Sequence, residues 1–255
     1  MIDGAFNIPS LYVPAALVRW ENSLKSHSRC AFVLAHLLFL HKKYQEHNLY
    51  DFSDFMWLDT YNILDTMYYA MKYEQLRKCL KTLENDGLIE RNGRQAIKVC
   101  IDKINLLIET YFNDNDISKD FLLYYDCYSY EQQEYPSSNV SYILSIFINI
   151  LKNQSKSIVT YIDLKKNFNN IFTRSQLNNM LNILVKDNAV IIHRQNLRYI
   201  SANYDVIEKI INIYHKDRIP HLIQYHGGDI DAIMKRYLSG DKDFDMSKYE
   251  YSWDF

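Results

Sequence analysis

Apolar residues fall at helical spacing from Arg29 to Tyr44, where Phe32, Leu34, Leu37, Leu38 and Leu40 cover a wide face and predict a core helix. After a polar connection, Trp57-Leu58-Asp59-Thr60 leads into YNILDTMYYAM, a short second helix that Asp59 or Thr60 can cap. A third helix follows over residues 72 to 87, with Leu76, Leu80 and Leu83 at spacings of four and three and Gly87 as its left-handed terminator. The pattern then changes period. LIERNGRQAIKVCI reads as two short strands around Asn92-Gly93, a pair suited to a tight hairpin.

The second half repeats this order. VSYILSIFINILKN (140 to 153) is a first helix, Thr160 opens TYIDLKKNF, TRSQLNNMLNILVKDN (173 to 188) is a third helix, and AVIIHRQNLRYIS is a hairpin. Gln75-Leu76, Leu80, Leu83 and Asp86 match Gln176-Leu177, Leu181, Leu184 and Asp187 at an offset of 101, and Thr60-Tyr61 with Leu64 match Thr160-Tyr161 with Leu164 at 100. A shared need to bury three helices and a hairpin accounts for the leucines but not for the whole order, so an internal repeat is expected.

Between the repeats, residues 109–138 are acidic and aromatic and end in Pro136-Ser137-Ser138. They read as a linker with one helix over 117–128. DVIEKIINIYHK reads as a closing helix, with Ile207, Ile210, Ile211 and Tyr214 toward the core. Residues 240–255 mix acids and aromatics without a period and read as a mobile tail. The expected domains are therefore 1–108, a linker at 109–138, 139–216, and a C-terminal extension at 217–255.

Six Gly and four Pro in 255 residues agree with a helix-rich fold, and 48% apolar with 24% charged residues is ordinary for a folded protein. Cys30, Cys79, Cys100 and Cys127 lie far apart and read as buried thiols. No run reaches the roughly 20 apolar residues of a membrane span, so a cytoplasmic location away from membranes is expected. The sequence has no phosphate-binding Gly-x-x-x-x-Gly-Lys, no His-Glu-x-x-His and no Gly-x-Ser-x-Gly, so no enzyme, cofactor or metal site is expected.

Three helices followed by a hairpin is the order of a winged helix-turn-helix. The fold class expected is mainly α with small β-hairpin wings (α+β), two such domains in tandem. In that fold the third helix enters the major groove of DNA and the wing touches backbone. The candidate DNA-binding residues are Lys72, Gln75, Arg77, Lys78 and Lys81 on the first unit's third helix, with Arg91 and Arg94 in its wing. In the second unit they are Lys165 and Lys166 on the preceding helix, Arg174, Gln176 and Asn178 on the third, and Arg194 and Arg198 in the wing. Arg, Gln and Asn pair with base edges, whereas lysines sit on phosphates. The net charge of −2 gives no support by itself, but charge is segregated. Residues 152–200 hold eight Lys or Arg against two acids, and residues 109–134 hold seven acids against one lysine.

Ile8-Pro9 ahead of a strand-like start, Ser28 to Tyr44 and Trp57 to Met67 as first and second helices, and KYEQLRKCLKTLENDGLIERNG as third helix and start of the wing together resemble the winged-helix domain of plasmid and phage replication initiators and replisome organisers. The resemblance covers about the first 100 residues. It implies a double-stranded DNA-binding protein of a mobile element acting in replication initiation, with groove contact by Arg77, Lys78, Arg174 and Gln176. Two alternatives stay open: a transcriptional regulator, and a protein-interaction module that binds a host protein and no DNA. Further expected partners are a second copy in a homodimer and a replication or host protein docked through the first unit or the C-terminal tail.

Overall fold

Each strong apolar stripe becomes a helix with that stripe inside. The computed structural model describes residues 10–24, 29–46, 49–50, 54–93, 95–112, 120–136, 138–152, 158–168, 171–194 and 198–216. Ile8, Pro9, Arg94 and all of 217–255, the expected tail included, lie outside them. The architecture is mostly helical with small antiparallel sheets, an α+β fold.

The first unit runs β1 (Ser10–Pro14), α1 (Ala15–Ser23), α2 (Cys30–Glu46), α3 (Thr60–Thr66), α4 (Tyr73–Asn85), β2 (Ile89–Asn92), β3 (Ala96–Val99) and α5 (Ile101–Tyr111). The second runs β4 (Asp120–Tyr124), α6 (Tyr125–Glu134), α7 (Val140–Lys152), β5 (Ile158–Thr160), α8 (Tyr161–Asn167), α9 (Arg174–Lys186), β6 (Val190–Arg194), β7 (Arg198–Ala202) and α10 (Tyr204–Lys216). Met56 bridges to Ile97 where β5 pairs with β7, so the two series match element for element.

The repeat is therefore longer than the one read from the sequence. The helix expected over 117–128 is instead a strand, 120–124, that turns into a helix, 125–134. Two of its acids are not solvated: Asp126 and Glu131 are buried, as are Tyr125, Tyr128 and Tyr130, whereas Asp120 and Glu134 at its ends are exposed. The register also moves by one residue. Asp59, not Thr60, caps α3, accepting from the Asn62 N–H at 2.8 Å, and Thr160 caps α8, accepting from the Asp163 N–H at 3.1 Å. The match is thus 101 throughout α3 and α8, pairing Ile63 with Leu164, both buried.

Helix ends follow local rules in both units. Gly87 (φ +69°) and its counterpart Asn188 (φ +58°) take the left-handed conformation that stops α4 and α9. Leu88 N–H then returns to Leu83 O at 2.9 Å, and Ala189 N–H to Leu184 O at 2.8 Å. In the first hairpin the ladder extends to Asn92 opposite Ala96, so Asn92 belongs to the strand and not to a two-residue turn with Gly93, which takes φ +64°.

The two units share one core and an approximate two-fold axis. β1 pairs antiparallel with its own counterpart β4, Tyr12 facing Leu122 at the centre, and antiparallel pairing of equivalent strands is what a two-fold requires. Leu11, Val13, Phe121 and Leu123 point inward from this ribbon. Phe32 stacks on Tyr128 at 4.0 Å between centroids and meets Tyr125 edge-on at 5.2 Å.

Polar groups close the same interface. Glu21 and Glu131, equivalent in the repeat, each cap the following helix, accepting from Ala31 N–H at 3.3 Å and Ser141 N–H at 2.9 Å. Arg29 lies 3.0 Å from Glu131 and donates to Asn139, its own counterpart across the axis. Burial works against the Arg29 charge, but Glu131 and then Glu21 more than offset it, and the guanidinium stays protonated above its ordinary range. Burial likewise pushes the Glu21 carboxyl up to about 7, against the pull of Arg29.

Candidate nucleic-acid interface

Leu76, Cys79, Leu80 and Leu83 bury one side of α4, and Leu177, Met180, Leu181 and Leu184 bury the same side of α9. The buried stripe fixes which residues remain outside. On α4 these include Arg77, Lys78 and Lys81, alongside Glu74, Glu84 and Asn85, with Lys72 just before the helix. On α9 Arg174 is exposed and Asn178 half-buried, and Lys165 and Lys166 are exposed on α8. Arg91 on β2 is half-buried. Arg194 and Arg198 sit opposite one another at the end of the second hairpin.

Two expected base-reading groups are engaged elsewhere. Gln75 accepts the Lys72 N–H at 3.1 Å, and Gln176 accepts the Thr173 N–H at 2.7 Å while Thr173 accepts from the Gln176 N–H at 3.2 Å. Both glutamines therefore belong to the N-terminal caps of their helices. Arg77 stands 3.6 Å from Glu74, an exposed pair that leaves its outward donors accessible.

Between α9 and the first unit opens a cleft of about 750 Å³, whose walls include Asn22, Arg29, Asn139, Asn179, Asn182 and Lys186. A smaller cavity of about 260 Å³ lies where Tyr69 to Lys72 face Gln132 to Glu134. Asn22 reaches across the first, donating to Ile171 O at 3.3 Å. Asn182 and Lys186 were not among the residues expected from the sequence. The 101-residue match to Lys81 and Asn85 is the signal that places them on the same exposed face.

Aromatic side chains mark the first unit's surface near α4. Trp57 and Tyr61 are 50% and 61% exposed, and Tyr61 stacks on Tyr73 at 4.7 Å. Of the cysteines, Cys30, Cys79 and Cys127 are buried and Cys100 is half-buried, not fully covered as expected. Among the described residues no His, Cys, Asp or Glu cluster is arranged to hold a metal ion, and no helix is long and apolar enough to cross a membrane. Comparison with family models, characterised proteins and solved structures finds no match to this chain.

Proposed function

We propose that the chain binds double-stranded DNA through two winged helix-turn-helix units, with α4 and α9 in the major groove and β2–β3 and β6–β7 as wings. One observation carries this reading. The repeat presents, at equivalent places on a shared core, two third helices whose apolar stripe is buried and whose outer face holds Arg, Lys and Asn. A two-fold relation between them suits a duplex, whose backbone has local two-fold symmetry. Tandem units of this kind favour replication initiation on a plasmid or phage over transcriptional regulation.

Protein docking through the first unit is a second reading, favoured by the exposed Trp57 and the Tyr61–Tyr73 stack. Binding to random-sequence duplex at two salt concentrations separates the two. The DNA reading predicts binding that weakens steeply with salt and a shallower dependence in the Arg174→Ala, Lys165→Ala, Lys166→Ala variant. Absence of binding at low salt contradicts it and moves protein docking to first place.

A further inference from the structure

The cleft between α9 and the first unit is lined by carboxamides, and their hydrogen bonds fix which end each has left to offer. A guanidinium and a backbone N–H only donate, so a carboxamide beside either meets it with its carbonyl oxygen. Asn139 Oδ1 accepts from Arg29, and Gln176 Oε1 accepts from the Thr173 N–H at 2.7 Å. In both side chains the NH2 group remains for the cleft. Asn179 and Asn182, exposed on α9, line the same space and make no hydrogen bond among the described residues.

Charge adds to this excess of donors. Lys186 Nζ stands 5.8 Å from the centroid of the Tyr135 ring, which holds its charge at the cleft wall. Tyr135 is itself anchored, its hydroxyl donating to Asp187 at 2.8 Å. Arg29 brings a second cation, shared with Glu131 at 3.0 Å. Glu21 is the lone acid among the described residues of the lining, and burial pushes its carboxyl up to about 7, so it carries little negative charge below neutrality.

Walls that offer mainly N–H donors and positive charge select a molecule rich in acceptors. Phosphate suits them better than carboxylate, because its three terminal oxygens accept in divergent directions and the donors come both from α9 and from the connection before α7. A bare phosphate would fill little of the cleft's roughly 750 Å³, a volume typical of sites for whole organic molecules. Leu24 and Ile183 supply apolar wall for such an organic part.

We infer that this cleft binds a small phosphate monoester, with Lys186, Asn179, Asn182 and Asn139 donating to the phosphate oxygens and the organic part against Leu24 and Ile183. Arg174 and Asn178 lie outside the lining, so DNA contact through them neither requires nor excludes this site.

The test titrates the full chain by calorimetry, without DNA, using AMP, ribose phosphate and adenosine as probes. AMP is expected to bind saturably, and adenosine, which lacks the phosphate, at least about tenfold more weakly. Ribose phosphate binding as well as AMP assigns the organic part to a sugar, and weaker binding assigns it to a nucleoside; both support the site. Lys186→Ala, which removes a charge, and Asn182→Asp, which replaces donors by acceptors, are each expected to weaken AMP binding by about tenfold or more. Lys209→Ala, exposed on α10 away from the cleft, leaves affinity unchanged. Both α9 positions are exposed, so urea midpoints close to wild type are expected and separate lost affinity from lost folding. Adenosine binding as tightly as AMP, full affinity in both α9 variants, or binding of neither phosphate ester at millimolar concentration overturns the assignment.

Discussion

His36 and Glu21 set opposing pH dependences inside the shared core. His36 is buried with Nδ1 2.7 Å from Tyr125 Oη and Nε2 2.9 Å from Thr66 Oγ1, and burial pushes its pKa down from 6.5 to about 3. Below pH 6.5 the unfolded chain takes up this proton first, so stability falls as pH drops toward 3. Glu21 is the reverse: burial raises its pKa from 4.5 to about 7, the unfolded chain ionises first, and stability falls as pH rises from 4.5 to 7. The full effects are on the order of 5 and 3 kcal/mol, at about 1.4 kcal/mol per unit. Between pH 4.5 and 6.5 the slopes cancel. Urea midpoints of Glu21→Gln across this window are therefore expected to rise with pH relative to wild type, and a difference independent of pH contradicts the assignment. Neither group's environment was legible from neighbours in sequence. Tyr125 lies 89 residues from His36, and no local pattern announces it.

Caps and terminators were the best-read elements because they depend on residues three or four positions apart. Gly87 was expected as the stop of α4 and takes φ +69° there. Gly87→Ala, strained at that angle and directed at the Lys103 side chain, is expected to lower stability by about 1 kcal/mol, with Asn188→Gly near neutral; equal losses at both positions contradict the shared motif. Thr173→Ala is expected to remove about 1 kcal/mol by freeing the Gln176 N–H, seen as a lower urea midpoint with unchanged slope. The same local geometry engages Gln75 and Gln176, both expected as base contacts, at the starts of their helices. Thr173-x-x-Gln176 spells a cap, whereas Lys72-x-x-Gln75 does not, yet in each helix the glutamine carbonyl oxygen accepts the backbone N–H three residues earlier.

The whole arrangement was half legible. From α3 onward, shared leucines at a fixed interval exposed the repeat, since each unit buries the same side of its third helix. The part that joins the units was hidden. Residues 120–134 carry acids and tyrosines, which suggest a solvated connection, yet Glu131 is satisfied by Arg29 and Ser141, and the tyrosines fill the space between units. Such burial depends on partners about 100 residues away. In the opening segments few identities survive to reveal equivalence, Glu21 with Glu131 and Leu34 with Leu144 among them. The buried residues of both units join in one hydrophobic core.

The most direct test of a two-helix DNA interface is a hydroxyl-radical footprint of the protein on a duplex enriched from a random pool. The account predicts two protected backbone patches on one side of the duplex, about 10 base pairs apart between centres, with the patch under α4 lost in the Arg77→Asn, Lys78→Asn, Lys81→Asn variant. A single patch that this variant leaves intact contradicts a two-helix interface.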